Sequence, residues 1–345
     1  MGDIERYNAV ARLYHAFMTG LVLSLVSQKG AKAASRLIYR LFRHQQTKRF
    51  LPGLQKLGLQ GLPDAVACAQ YHYLSNFLGT VHVEYMYEAD HKAWIRYPPP
   101  RWMWEGTAIC GIPSVVSAAM LHGWHGQNGV SLRNKKLGFV CTGQTVEGYP
   151  GLEGYFLEYK REITPDERVR FVTDERAPTF KPELAPRLAS TSWPMERIRK
   201  AERNYAMEFL RSTFQEMPNV FEPPEAHRLL SHTARLVGMQ YYRETARILE
   251  IPPGSLRAFA SYMAAMARAQ GDTIEETVLS SAIILRQSSW NLMRGVPVRD
   301  FYFDAWNSLW EGAVAAHDRD IVLHVSKRID RGDPCFEWHL SRHPG

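Results

Sequence analysis

Between residues 71 and 141 the chain gathers side chains that do chemistry: His72, His82, His91, His122 and His125, with Cys110, Cys141, Glu84 and four tryptophans. Cys110 precedes Gly111-Ile112-Pro113, where a helix is expected to begin. A thiol near a helix N-terminus feels the positive end of the dipole, which favours the thiolate and makes it a better nucleophile. His122 or His125, on the helix that follows, would act as its base if the fold returns them to it. Spaced three apart, these histidines could share one helix face and, with Cys110 or Cys141, reach a metal. No HExxH or CxxC accompanies them, so no metal set is assigned. The same residues also fit an inert buried thiol and two histidines around a glycine-rich helix end.

Arg96, Arg101, Trp102 and Trp104 flank the triple proline at 98–100. A planar guanidinium beside an indole suits a carboxylate carried on a flat ring, by paired hydrogen bonds and stacking. A Trp-rich packing interface would use the same residues. Further along, Tyr241 and Glu244 fall on one face of a helical stretch and qualify as pocket-lining groups, although a partly buried amphipathic helix has the same pattern. No GxGxxG, GxxxxGK or GxSxG is present, so no motif names a cofactor and its identity stays open.

The elements that must position these groups begin with an uneven charge distribution. Residues 6–63 contain ten Lys and Arg and no Asp or Glu, so the remainder of the chain sums to −3 against +7 overall. A localised field of this kind favours an anionic surface or acidic partner. The helix expected from about 31 to 46 sets Leu37, Ile38, Leu41 and Phe42 together, with Lys32, Arg36, Arg40 and Arg43 around them. Such a helix can lie on an anionic membrane surface, or be a core helix whose solvated face is basic. Nucleic acid is disfavoured because aromatics are not interleaved with the cations.

Four scattered cysteines fit thiols in a reducing compartment. The apolar run Ala16 to Val26 is short for a bilayer span, and the expectation is a buried helix in a cytoplasmic protein.

Alternating residues from Val81 to Tyr97 predict a hairpin, strands follow near 137–142 and 155–161, and helices near 195–217, 224–249 and 255–270. The second half closes with strands at 273–286, a helix at 299–316, and a hairpin over 321–340. The reading is a helix-rich α+β fold in two units. Residues 1–176 form an N-terminal α+β unit with a basic helical leader, 177–223 a Pro-rich linker and connecting helix, and 224–345 a C-terminal α+β unit. Both halves follow one element order, and Gly148-Tyr149-Pro150 before Leu152-Glu153 parallels Gly332-Asp333-Pro334 before Phe336-Glu337. A diverged tandem duplication would explain this, with the two sheets facing a shared cleft.

The closing segment Ile329-Asp330-Arg331-Gly332-Asp333-Pro334-Cys335-Phe336-Glu337-Trp338 resembles the end of L-2-amino-thiazoline-4-carboxylic acid hydrolase-like proteins. It is also similar to vinyl-reductase-like ligand domains, which finish on a Gly-Asp turn followed by a Cys in a strand. The family carries further cysteines upstream, where this chain has Arg286, Gln287 and Trp290. The resemblance covers about the last third and implies an α+β fold with a pocket for a small cyclic or planar ligand. The expectation is therefore an enzyme hydrolysing a planar or cyclic organic acid, with Cys110 or a His-bound water attacking. The alternative is a non-catalytic ligand-binding or assembly protein, in peripheral contact with an anionic membrane through its basic helix.

Overall fold

The computed structural model describes residues 3–79, 81–188 and 193–343. In chain order the elements are α1 (Asp3–Lys29), α2 (Ala31–Lys56), α3 (Asp64–Leu78), β1 (Glu84–Ala89), β2 (Lys92–Tyr97), α4 (Ser114–Gly123), α5 (Asn128–Leu132), β3 (Leu137–Gly143), β4 (Leu152–Glu158) and β5 (Val169–Phe171). They continue with α6 (Met195–Glu216), α7 (Pro223–Ile248), α8 (Leu256–Ala269), β6 (Ile274–Val278), β7 (Ala282–Gln287), α9 (Asp300–His317), β8 (Ile321–Lys327) and β9 (Phe336–Arg342). The fold is helix-rich α+β, as the periodicity indicates.

The chain divides into a central unit, Val22–Ile198, and a terminal unit built from Met1–Leu21 with Arg199–Gly345. Both boundaries fall inside helices, α1 and α6, and differ from those read at 176 and 223. The first half of α1 belongs with C-terminal elements because it is bonded to them. Tyr14 Oη donates to Gln270 Oε1 at 2.6 Å and accepts from Trp306 Nε1 at 3.2 Å. The start of the Pro-rich stretch after 176 packs with the central unit: Ala177 and Phe180 lie on the central sheet, against the cluster of Met86, Trp94, Val140 and Tyr155. Its backbone is pinned there as Ala177 N–H donates to Glu153.

The central sheet has the order β1-β2-β4-β3-β5, antiparallel except for the β3–β5 pair. Alternation sends Phe139, Phe156 and Tyr97 to the helical face, where α3 lies, while Trp94 and Tyr155 point to the face that residues 172–180 cover. Helix α2 runs ten residues past the expected Gln46 and continues through Pro52, because Phe50 and Leu54 extend its buried stripe.

The terminal sheet has the order β6-β7-β9-β8, wholly antiparallel. Its core is aromatic: Trp306, Trp338, Phe303 and Phe336 are essentially inaccessible, and Trp338 Nε1 donates to Asn307 Oδ1 at 2.8 Å, whereas the buried Nε1 atoms of Trp290 and Trp310 have no partner among the described residues. Helices α7 and α9 meet backbone to backbone. A Cβ on Gly238 would lie 2.1 Å from Leu309 O, and one on Gly312 would lie 2.0 Å from Arg235 O.

The apolar run expected to be too short for a bilayer is embedded in a longer helix. The segment Arg6–Lys29 is long and apolar enough to cross a membrane, yet 72% of its apolar window is buried inside the protein. That burial fits a core helix.

A methyl group at either α7–α9 glycine meets backbone, which cannot swing aside. Gly238→Ala or Gly312→Ala is expected to cost about 2 kcal/mol or more of stability, read as a shifted midpoint in urea denaturation. A midpoint within error of the wild type would mean that the helices separate at no cost.

Candidate functional site

The residues selected by type and spacing separate into different surroundings. Arg96 is occupied by the sheet itself. Its Nε donates to Glu84 Oε2 at 2.6 Å, and its Nη1 lies 3.8 Å from Glu153 Oε2. The three residues are register partners across β1, β2 and β4. An arginine held between two carboxylates that are 13% and 15% exposed has little positive field left for a substrate anion. The terminal sheet carries the same row: Glu275, Arg286 and Glu337 are register partners, with Arg286 Nε donating to Glu337 Oε2 at 2.6 Å.

Tyr241 and Glu244 do share a face of α7, and a single cation holds both. Arg12 Nε donates to Glu244 Oε1 at 2.7 Å, and the Arg12 guanidinium sits 5.0 Å from the Tyr241 ring centre. They tie α1 to α7 inside the terminal unit. Arg101 stacks on Tyr97, 4.8 Å from its ring centre, and Trp102 is half-buried beside it in sequence.

Cys110 is exposed and sits in the 3-10 turn Gly106–Gly111, with α4 starting only at Ser114. Among the described residues no hydrogen bond joins it to His122, His125 or any other base. The two histidines also part company. Helix α4 ends at Gly123, and Trp124 turns the chain before His125, so a spacing of three no longer puts both rings on one face. His122 is half-buried and packs near Phe171, whereas His125 is buried against His72. No group of three or more His, Cys, Asp or Glu with metal-holding geometry occurs among the described residues.

His125 instead belongs to a buried polar chain that spacing alone did not reveal. Its ring stacks on His72 with centroids 4.1 Å apart, and both rings lie against Phe156. Tyr97 Oη lies 2.9 Å from His72 Nδ1 and 3.4 Å from His125 Nε2, and Asn128 Nδ2 is 3.4 Å from His72 Nε2. Gln46 Nε2 in turn donates to Asn128 Oδ1 at 3.3 Å. One proton arrangement serves all of them: Asn128 donates to His72 Nε2, His72 Nδ1–H donates to Tyr97, and Tyr97 donates to His125 Nε2. That leaves the buried His125 Nδ1 without a partner. Burial lowers the His72 pKa from 6.5 to about 3. Burial, with help from His72 and Arg101, lowers that of His125 well below its usual value. Two neutral stacked rings are tolerable in this core, and two charged ones are not.

The other feature is a groove between α2 and α4. The helices touch where a Cβ on Gly123 would be 2.6 Å from Tyr39 O. Beside that contact lies a groove of about 860 Å³, within the range of small-molecule sites. Helix α2 lines it with Lys32, Ser35, Arg36, Tyr39 and Arg40, and α4 with Val115, Ala118, Ala119 and His122. Burial lowers the His122 pKa, partly opposed by Asp166, so its imidazole is neutral at neutral pH. The groove therefore combines an apolar wall, three cations and one neutral base. Of the residues singled out for chemistry, His122 alone lines it, although the basic α2 face was visible in the charge pattern.

Compared with known proteins, the chain matches no family model and no curated protein.

A histidine whose folded pKa lies below its unfolded value binds fewer protons folded than unfolded between the two, so stability falls as pH drops. Denaturation of the chain is expected to be flat in pH above about 6.5 and to lose roughly 1.4 kcal/mol per pH unit for each buried ring below it. His72→Gln should remove one ring's share of that slope. A stability profile with no slope between pH 6.5 and pH 4 in the wild type would mean that the rings are not held neutral.

Proposed function

We propose that the central unit is a ligand-binding module whose α2–α4 groove takes a small organic acid with an apolar, ring-sized body. The observation that carries this is the pairing of Tyr39, Val115, Ala118 and Ala119 with Lys32, Arg36 and Arg40 in one groove. An apolar wall buries the body of such a ligand, and the cations take its carboxylate with charge-assisted hydrogen bonds. Among the described residues no carboxylate pairs with Lys32 or Arg36, so their fields are not spent internally.

Hydrolysis in this groove is the second reading, favoured by His122. A neutral, half-buried imidazole beside bound acid can take a proton from attacking water. Cys110 takes no part in it, since it is outside the groove lining. Arg96 is likewise replaced as the anchor, by Arg36 and Lys32.

We infer further that the two units descend from one duplicated element. Helices α2 and α7 are both 26 residues long and end alike, with Leu57 N–H on Gly53 O and Leu249 N–H on Thr245 O. The strand orders β1-β2-β4-β3 and β6-β7-β9-β8 correspond. Both third strands shift register at one place, between Cys141 and Gly143 and between Val325 and Lys327. The residue within each shift binds the carboxylate of the row: Thr142 on Glu153 at 3.0 Å, and Ser326 on Glu337 at 2.7 Å. On this reading the counterpart of the groove is the α7–α9 seam, which Gly238 and Gly312 bring to backbone contact. Ligand binding is then a property of the central unit.

Calorimetric titration with a panel of aromatic and cyclic carboxylic acids tests the site. Saturable binding is expected at low salt, weakened about tenfold by Arg36→Ala through the loss of one charge-assisted hydrogen bond. Product formation abolished by His122→Gln, with binding retained, would select hydrolysis. Saturable binding left unchanged in Arg36→Ala would remove the groove as the site.

A further inference from the structure

We propose that the groove side of α2 docks on an anionic lipid bilayer, with the groove receiving the anionic headgroup. This rests on the reading of the groove as an anion site and names the source of its ligand. Lys32, Arg36 and Arg40 recur every four residues, which places them along one stripe of the helix about 12 Å long, and all three are exposed. The stripe lies in the 6–63 segment that holds no Asp or Glu. The rest of the chain is net negative, so the positive field is concentrated in this segment.

Charge alone would suit an acidic protein equally. The apolar residues among the cations favour a bilayer. Tyr39 is 39% exposed on the stripe and Val115 is 56% exposed across the groove. An amphipathic ring with a hydroxyl tip and an aliphatic side chain, set among Lys and Arg, matches the boundary between headgroups and acyl chains. The groove between them offers the headgroup an apolar wall and cations together, an environment that a flat acidic protein surface does not fill.

The test is sedimentation of the full chain with phosphatidylcholine vesicles, with and without phosphatidylserine. Binding is expected only with phosphatidylserine and only at low salt, since screening shortens the reach of exposed charges. Each cation near an anionic leaflet contributes about a fivefold gain in affinity, so Lys32→Glu, Arg36→Glu and Arg40→Glu together should lower binding at least a hundredfold. The thermal midpoint of this variant, whose changes are all on exposed positions, shows whether it is folded. Val115→Asp, which removes no cation, should weaken vesicle binding as well. Lys135→Glu, on a side chain 74% exposed and off the stripe, should leave it unchanged. Phosphatidylserine vesicles ignored by a chain that still binds soluble acids would overturn the bilayer proposal and leave the groove reading standing. Vesicle binding without any soluble-acid binding would support the stripe as a membrane surface and remove the groove's small-acid role. Equal vesicle binding by the triple variant, or binding to a poly-glutamate peptide with none to vesicles, would overturn the proposal.

Discussion

Helix α2 has to satisfy two opposed requirements, and the arrangement of the central unit follows from them. Its cations have no acidic neighbours in sequence to neutralise them, so they repel one another along the helix surface. Leu37, Ile38, Leu41 and Phe42 counter that repulsion, each contributing about 1.5–3 kcal/mol on burial. The burial fixes the rotation of the helix, and the rotation leaves Lys32, Arg36 and Arg40 facing outward beside α4. A groove lined by the cations of α2 is thus a by-product of the way this helix is held. Had the stripe contained acids at four-residue spacing, local ion pairs would have neutralised it and the groove would have had no charge to offer.

The sheets treat charge in the opposite way. In the central sheet Arg96 is enclosed between Glu84 and Glu153, and in the terminal sheet Arg286 is paired with Glu337, so that these charges are consumed across the strands. Arg96 and Arg286 therefore hold strands together. A third contact, from Thr142 or Ser326 at the bulge, satisfies a remaining carboxylate oxygen. Breaking such a partly buried row would leave a carboxylate without its counter-charge, which costs more than the row contributes.

Much of the fold was legible because periodicity is a local signal. The hairpin before Pro98, the helices α6 to α8 and the closing hairpin with its Gly332 turn all follow from alternation, helical spacing and turn residues. The unit boundaries did not, since they depend on the partners of Tyr14 and Ala177, and those partners are remote in sequence. The site was legible only in part. His122 and His125 were chosen because three residues make a helical face, but Gly123 ends the helix between them, and the face goes with it. Arg96, Tyr241 and Glu244 were chosen as side chains able to bind a ligand. Each has that capacity, and Glu84, Glu153 and Arg12 already use it. Chemical type shows what a residue is able to do; only the fold shows whether its valences remain open.

The buried histidine pair and the groove histidine illustrate this from the same short stretch of chain. His125 and His72 stack in a core without counter-charge, so protonation would put like charges 4.1 Å apart in a medium that cannot screen them. Their work is therefore structural, and the donor sequence from Gln46 to Tyr97 orients them. His122 lies three residues earlier but half in solvent, beside cations that lower the cost of bringing an anion near. Its neutral ring can accept a proton and return it without disturbing the core. The difference lies in solvent and neighbours, because the side chains are identical. On the proposed reading, the α2–α4 edge is the part of the central unit open to a ligand, because His122 and the cations of α2 share one groove there.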